Sequence, residues 1–261
     1  MQPNWDTVKK ITLWNYENLM QKLCVVTGYP TIWHAYNHTV PRAAIFAMSL
    51  FPHSNIETGE YPSAIIRSFE RLQTAGISDW ESLLSKISTR ADCANFVAEH
   101  PISFEELIEV LNYLLRFGFP FKTATRELLD HENPQEMVFY KILKAHLLMN
   151  SFDLLEQGNT AAARRNLADL TGLQLDFVTR IVHRADIGRL PYARRKTILA
   201  LCGAGYDNLR KIAGAGLPQM EADLDAYFQR TQGKPWENFK SVIVLRELIV
   251  RAQALPGIVS E

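Results

Sequence analysis

The stretch "STRADCANFVAEHPISFEELIEVLNYLLRFGFP" at residues 88–120 aligns without a gap with "NTAAARRNLADLTGLQLDFVTRIVHRADIGRLP" at residues 159–191. The two stretches share a constant offset of 71 residues, and both end in a proline, Pro120 and Pro191. Apolar residues coincide at several positions in between, for example Phe96 with Leu167 and Val110 with Ile181. A fixed offset over such a length is typical of an internal repeat. We therefore predict two copies of one structural unit.

The spacing of apolar residues indicates that this unit is built from helices. Apolar residues recur every three or four positions in 104–115, 175–185 and 239–252, which is the period of an amphipathic helix. Residues that favour helix starts also precede several predicted helices, among them Asp79, Ser103, Thr160 and Asn208. No stretch alternates with a period of two. The predicted fold class is all-α, made of many short helices.

A second offset, of 129 residues, places 59–84 on 188–213 and predicts a third, partial copy. Both segments begin with the pattern Gly-x-x-Pro-x-Ala, whose proline we expect at the first position of a helix. Gly76 and Gly205 fall on the same position, where we expect a left-handed residue to end that helix. The predicted architecture is a tandem helix-hairpin-helix-like repeat with N-terminal and C-terminal capping helices.

These alignments divide the chain into three predicted regions. We expect an N-terminal helical layer over 1–60, repeat 1 plus a bridging helix over 61–131, and a third region over 132–261. The third region holds repeat 2, the third half-repeat hairpin and a C-terminal capping helix at about 235–254.

Composition favours a globular protein of the cytoplasm. The 261 residues are 47% hydrophobic and 21% charged, and the formal net charge is zero. No apolar run approaches the roughly 18 residues of a membrane span, and the first residues do not resemble a secretory signal. The cysteines are only three and widely spaced, so we expect free, buried thiols and a cytoplasmic location, with no membrane partner.

One region resembles a known family. Over 140–213, and more weakly over 61–120, the chain resembles the bacterial domain-of-unknown-function family 4332, which is related to the helix-hairpin-helix class. The resemblance is carried by "RRNLADLTGL" (164–173), "VHRADIGRLP" (182–191) and "LCGAGYDNLRKIAG" (201–214). It implies a helical fold and, because no activity is established for that family, no function.

The wider helix-hairpin-helix class implies non-specific DNA binding through a Gly-x-Gly turn whose backbone N–H groups face a phosphate. This sequence departs from that pattern, because only one glycine precedes Ala193 in "GRLPYA" and Ala64 in "GEYPSA". Any phosphate would therefore be held by side chains and not by the backbone.

Basic side chains are concentrated in one segment. Residues 161–215 carry ten basic and four acidic residues, a net charge of +6. In the alignment of the repeats, most of these basic residues correspond to non-basic residues of repeat 1, so the fold does not require them. Three of them fall at the start of a predicted helix, where the helix dipole favours acids. The candidate nucleic-acid or anion site comprises Arg164, Arg165, Arg180, Arg184, Arg189, Arg194, Arg195 and Lys196. The alternative is a solvated helical face neutralised by acids such as Asp186.

Motifs for chemistry are few. His34 and His38 are four residues apart, a spacing that can bind a metal on a helix, but no acidic residue lies between them and we expect no metal or other cofactor. No phosphate loop, nucleotide fingerprint or nucleophile elbow is found, and no catalytic residue is predicted. We therefore expect a non-enzymatic helical binding or scaffold protein that presents a repeat surface to a protein partner. The alternative is non-specific binding of a duplex nucleic-acid backbone through 164–211.

Overall fold

A computed structural model describes residues 3–51, 61–191, 193–232 and 242–260, with side chains from 245 in the last range. Every regular element in these ranges is a helix, so the predicted all-α class is confirmed. The chain divides into two compact units, Met1–Pro120 (unit 1) and Phe121–Glu261 (unit 2). None of the helices within these ranges is both long and apolar enough to cross a membrane.

Unit 1 contains eight α-helices among its described residues. They are α1 Asp6–Thr12, α2 Tyr16–Cys24, α3 Pro30–Tyr36, α4 Val40–Leu50, α5 Tyr61–Thr74, α6 Trp80–Lys86, α7 Arg90–Glu99 and α8 Phe104–Tyr113. A 3-10 turn follows α2 at Val25–Gly28, and a π-helical turn follows α8 at Leu114–Gly118. The predicted layer 1–60 and the predicted repeat 1 thus fall in the same unit.

The core of unit 1 lies around α8, which packs against α1, α5 and α7. Its sequence "FEELIEVLNY" places apolar side chains on most of its circumference, and seven of its ten residues are buried. Large aromatic side chains from neighbouring helices fill the space around it, including Phe69 from α5 and Trp80 from α6. Burial of such aromatic rings supplies much of the hydrophobic free energy of folding.

Unit 2 contains the other eight α-helices that the structure describes. They are α9 Pro134–Ala145, α10 Ser151–Gly158, α11 Ala161–Thr171, α12 Leu175–Ile187, α13 Arg195–Gly203, α14 Leu209–Ala213, α15 Leu217–Gln232 and α16 Val242–Ala254. The bridge expected at 122–130 lies in this unit as a 3-10 turn, Thr125–Leu128. Residues 235–241 of the expected capping helix lie outside the described residues.

The core of unit 2 lies around α12, which packs against α10, α11, α13 and α14. Eight of its thirteen residues are buried, among them Phe177 and Ile181. The helix α16 packs on α14 and α15. One central helix therefore organises the core of each unit, α8 in the first and α12 in the second.

Three turns between helices share one local geometry. Each has a residue with positive φ: Gly76 at 74°, Leu147 at 62° and Gly205 at 101°. At each, the N–H of the following residue donates to a carbonyl five positions earlier, at 3.0 Å, 3.0 Å and 2.8 Å in chain order. This is the Schellman arrangement that ends many helices. The sequence predicted it at the two glycines but did not predict a leucine in this conformation.

The predicted helix starts agree with the structure. Asp79 and Asn208 cap α6 and α14, each accepting a hydrogen bond from a backbone N–H three residues later. Asn150, which was not predicted as a helix start, caps α10 in the same way. Ser103 and Thr160 cap α8 and α11 in the same way. Side-chain caps satisfy N–H groups that the first helical turn leaves unpaired, so these residue types mark helix starts locally.

The expectation that Pro191 opens a helix is wrong. The helix α13 begins at Arg195, and the segment before it forms turns in which the Ala193 N–H donates to the Leu190 carbonyl at 3.0 Å. The side chain of Arg189 is buried in these turns. It bonds to the Asp186 carboxylate and to the distant Pro256 carbonyl, and these bonds fix the turns. In unit 1 the corresponding proline, Pro62, does lie in the first turn of α5.

Candidate functional site

The structure separates the eight basic residues of the candidate site into two groups of four. In the first group the guanidinium group contacts other parts of unit 2, and these residues are Arg164, Arg184, Arg189 and Arg195. In the second group the side chains are exposed and point to solvent, and these residues are Arg165, Arg180, Arg194 and Lys196. The two groups cannot be told apart from the sequence, because the difference depends on long-range partners.

Arg184 lies on α12 and forms an ion pair that is nearly removed from solvent. Its Nη1 donates to Glu136 Oε2 at 2.8 Å and to the Leu128 carbonyl at 3.2 Å. Both side chains of the pair are nearly buried. Leaving either partner alone in this environment would leave an uncompensated buried charge, which is strongly destabilising. Arg195 similarly contacts the ring of His131, with its Nη1 3.0 Å from Nε2.

Arg164 and Arg189 are the two most buried of the eight, with 4% and 3% of their surface exposed. Both donate to main-chain carbonyls of the segment that follows α16. Arg164 Nη2 lies 2.9 Å from the Ser260 oxygen, and Arg189 Nη1 lies 2.9 Å from the Pro256 oxygen. The Ser260 N–H in turn donates to the Asn159 carbonyl at 2.8 Å. Residues 255–260 are thus held along unit 2 by their backbone.

Arg189 also forms a buried ion pair with Asp186. Its Nε and Nη2 both donate to Asp186 Oδ1, at 2.8 Å and 2.6 Å. Burial raises the pKa of Asp186, against the opposing effect of the Arg189 charge. The ion pair fixes the orientation of the guanidinium group, so that its Nη1 faces the Pro256 carbonyl. Asp186, expected to neutralise a surface cluster, instead orients a buried arginine.

Two of the four exposed residues lie at the start of α13. Arg194 is the N-cap residue of this helix, its side chain makes no capping bond, and the first turn contains no acidic residue. Arg194 and Lys196 are both exposed. Cations at this end oppose the helix dipole, at a cost of a few tenths to about 1 kcal/mol each. Arg180, on α12, lies over the Phe177 ring, with its Cζ 5.9 Å from the ring centroid.

A cleft of about 740 Å³ opens between α12 and the α13–α14 hairpin. Arg180, Arg184 and Lys211 line it, but so do Asp130, Asp176 and Asp207. Lys211 Nζ already lies 2.9 Å from the Asp207 carboxylate. The cleft therefore presents both signs of charge in similar number and does not select an anion by its electrostatics.

The turn between α9 and α10 carries the most exposed large apolar side chain among the described residues. Leu147 is 77% exposed and has a φ of 62°. Leu13, at the end of α1, is the other non-glycine residue with positive φ in the part of the chain that the structure describes. The alignment that pairs Leu147 with Gly76 and Gly205 contains a signal that sequence reasoning missed, namely a bulky residue where the turn favours glycine.

The histidine spacing does not produce a metal site on a helix. The helix α3 ends at Tyr36, so His34 lies on it and His38 lies beyond it. His38 is buried, its Nε2 is 3.1 Å from the Ala35 carbonyl, and its ring contacts Tyr36 and Phe46. Across the described ranges, no three His, Cys, Asp or Glu side chains are grouped as metal ligands.

The three cysteines are free, as predicted, but they are not all buried. Cys93 is buried, Cys202 is half-buried and Cys24 is exposed, which corrects the expectation for Cys24. Burial raises the pKa of both the Cys93 and the Cys202 thiol to about 11. Both thiols are therefore protonated at neutral pH and are poor nucleophiles.

Comparison with known proteins found no matching family model, no matching curated protein and no matching solved structure.

Proposed function

We propose that this chain is a non-enzymatic helical binding protein, and that the α9–α10 hairpin of unit 2 contacts a protein partner. The observation that carries the proposal is Leu147, a leucine with 77% of its surface exposed and a left-handed backbone. An L-residue with a Cβ in this conformation costs roughly 1–2 kcal/mol. The same side chain gains little from folding, because it stays in contact with water.

Neither cost is required by the turn. Gly76 and Gly205 occupy turns with the same hydrogen bonds and avoid both costs. Residues held in unfavourable backbone regions tend to occur where function needs them. A partner that covers Leu147 would recover the free energy of burying a leucine, about 1.5–3 kcal/mol.

Other exposed side chains of the α9–α10 hairpin indicate the chemistry of this partner. Val138 on α9 and Met149 after the turn are also exposed, at 53% and 41%. Lys141 and Lys144, on the same helix as Val138, are exposed as well. A protein surface with an apolar depression and acidic residues at its edge would complement this hairpin.

Several finer expectations belong to the same proposal. They are the tandem repeat as a structural unit, the kinship with domain-of-unknown-function family 4332, and a cytoplasmic location. The recurring turn at Gly76, Leu147 and Gly205 supports the repeat. The free thiols support the location, since reducing compartments keep cysteines unpaired.

Affinity capture with the full chain tests the proposal. Wild-type protein, Leu147→Gly and Leu170→Ala would be immobilised separately and exposed to the same extract. Leu170 is a matched control, because it is 62% exposed but lies in regular helix on α11. We expect a protein retained by the wild type and by Leu170→Ala but lost by Leu147→Gly. Retention of the same proteins by all three chains would contradict the proposal.

A second candidate function is binding of a nucleic-acid backbone through the exposed basic residues. The favouring observation is the start of α13, where Arg194 and Lys196 are exposed and the first turn contains no acid. A bound phosphate would reverse the unfavourable interaction of these cations with the helix dipole. Arg165 and Arg180 are the other exposed members of the predicted set.

Duplex DNA binding at two salt concentrations tests this alternative. The variant Arg194→Glu/Lys196→Glu leaves Arg195 in contact with His131 and should abolish binding. Lys9→Glu/Lys10→Glu on α1 makes the same change in net charge and should bind as the wild type does. Wild-type affinity should fall steeply with salt. Affinity that ignores salt, or falls equally in both variants, would exclude the alternative.

A further inference from the structure

Residues 255–260 lie on unit 2 as an extended peptide lies on a receptor. They follow α16 without regular secondary structure. Their main chain makes three hydrogen bonds to unit 2, through the Pro256 carbonyl and through both the N–H and the carbonyl of Ser260. Contacts of this kind recognise an extended backbone and depend little on the side chains that it carries.

The guanidinium groups that hold the segment also make contacts with other parts of unit 2. The guanidinium groups of Arg164 and Arg189 are buried, and the Arg164 Nη1 also donates to the Gly158 carbonyl at 3.2 Å. Arg189 is oriented by two hydrogen bonds to Asp186. Both arginines are therefore pre-organised before any peptide is added, which lowers the entropic cost of binding.

The sequence comparison indicates that the predicted repeat does not itself require arginine at these two positions. In the predicted repeat 1, Arg164 corresponds to Cys93 and Arg189 corresponds to Glu60. Cys93 is buried within unit 1, where its thiol interacts with the Tyr16 hydroxyl. Arginine at these positions is thus a property of unit 2, where the segment lies.

Residues 255–260 lie in a groove of unit 2 that includes Arg164 and Arg189, and they do not fill this groove. A cavity of about 180 Å³ remains beside them, lined by Ile258 and Val259 of the segment and by His183 and Asn208 of the unit. Ile258 and Val259 are only half-buried. A cavity of this size could hold additional side-chain atoms of a better-fitting peptide.

We propose that this groove is a docking site for an extended apolar peptide segment of a partner protein, and that residues 255–260 occupy it in the absence of that partner. The ligand would present two carbonyls four residues apart to Arg164 and Arg189, with small or apolar side chains between them. This goes beyond the proposed function, since it concerns a surface other than the α9–α10 hairpin.

The test uses a labelled peptide with the sequence of residues 254–261, ALPGIVSE. In the full chain, Ile258→Asp/Val259→Asp should release the internal segment and leave the arginines in place. We expect this variant to bind the peptide at least about tenfold more tightly than the wild type, whose groove is occupied. A folded variant that binds no peptide up to about 1 mM would overturn the proposal.

A matched pair of substitutions locates the binding. Added to the released variant, Arg164→Met should abolish peptide binding, whereas Arg165→Met, on the exposed neighbour in α11, should leave it intact. Equal binding by both would overturn the proposal. Formation of a dimer through exchanged segments would also overturn it, because the occupant would then be a second copy of the chain.

Hydrogen exchange in the wild-type chain gives a test that needs no variant. The Ser260 amide bonds to the Asn159 carbonyl, so it should be protected, and excess unlabelled peptide should remove the protection by competition. Protection that persists at saturating peptide, or a Ser260 amide that exchanges freely from the start, would overturn the proposal. Neither result depends on the binding activity assigned to Leu147.

Discussion

Tyr113 and Tyr16 are both buried tyrosines of unit 1, but only the Tyr16 hydroxyl has a partner among the described residues. Tyr16 donates to the Ile87 carbonyl, whereas the Tyr113 oxygen is enclosed without a hydrogen bond. Burial raises the pKa of both hydroxyl groups. An unpaired buried hydroxyl costs about 1–3 kcal/mol, while a satisfied one is close to neutral or stabilising. The two positions therefore respond in opposite directions to loss of the hydroxyl.

We expect Tyr113→Phe to raise the free energy of unfolding by about 1 kcal/mol, because it removes an unsatisfied group and keeps the ring. Tyr16→Phe should lower it by a similar amount. Urea unfolding of the two variants and the wild type measures both changes. Destabilisation by Tyr113→Phe would show that its hydroxyl is bonded after all.

The buried His38 predicts a dependence of stability on pH. Burial, with a contribution from the Arg42 charge, lowers the His38 pKa from its ordinary 6.5 to about 4. The folded state thus resists protonation, so stability is complete above about pH 6.5 and is lost as the pH falls towards 4. The loss is on the order of 2–3 kcal/mol, at about 1.4 kcal/mol for each pKa unit.

Substitution by glutamine should reveal this effect. His38→Gln should remove most of the difference in unfolding free energy between about pH 7 and about pH 4.5. His34→Gln, at an exposed histidine of α3, should leave the difference as it is in the wild type. Identical pH profiles for the two variants would contradict the assignment to His38.

Leu147 connects the residue scale to the proposed function. If the leucine is kept for a partner, the turn itself should tolerate or prefer glycine. We expect Leu147→Gly to leave the free energy of unfolding unchanged or raised by up to about 1 kcal/mol, and Gly76→Leu to lower it by about 1–2 kcal/mol. Thermal or urea unfolding distinguishes the two. A marked loss of stability in Leu147→Gly would mean that the side chain serves the fold.

At the scale of elements, α10 and α12 approach each other closely at Gly158. Gly158 lies so close to α12 that an added Cβ would approach the Val182 Cγ2 to 2.6 Å. Val182 is fully buried and has no space to move. The Gly158 carbonyl also accepts a hydrogen bond from Arg164, so this junction supports the groove.

We expect Gly158→Ala to lower the free energy of unfolding by about 1–3 kcal/mol, since overpacking outweighs the gain of about 0.5–1 kcal/mol in helix propensity. Gly28→Ala, at a position where an added Cβ meets no atom within 4 Å, is the control and should be neutral. Equal stability of the two variants would mean that α10 and α12 can separate without cost.

Helix starts could be predicted from the sequence because capping is local. Asp79, Thr160 and Asn208 lie within three residues of the N–H groups that they satisfy. The start of α13 could not be predicted, since Arg189 bonds across 67 residues to the Pro256 carbonyl. The candidate site was only partly predictable for the same reason. A basic residue in a sequence does not reveal whether its partner is solvent or a distant carbonyl.

At the scale of the whole molecule, each unit has its own core and its own central helix. Unit 2 contains two features that close packing of its helices does not require. Its turn at Leu147 is strained and exposed, and its groove uses two buried arginines to hold a backbone. These two features are the basis of the two proposals, the contact of a partner with Leu147 and the docking of a peptide in the groove.

The most direct measurement of the central claim is the affinity of the full chain for the captured partner, by calorimetry, with and without the Leu147 side chain. Burial of a leucine is worth about 1.5–3 kcal/mol, so Leu147→Gly should weaken binding by about 10- to 100-fold while Leu170→Ala binds as the wild type does. Equal affinity of the wild type and Leu147→Gly would contradict the claim that the α9–α10 hairpin contacts the partner.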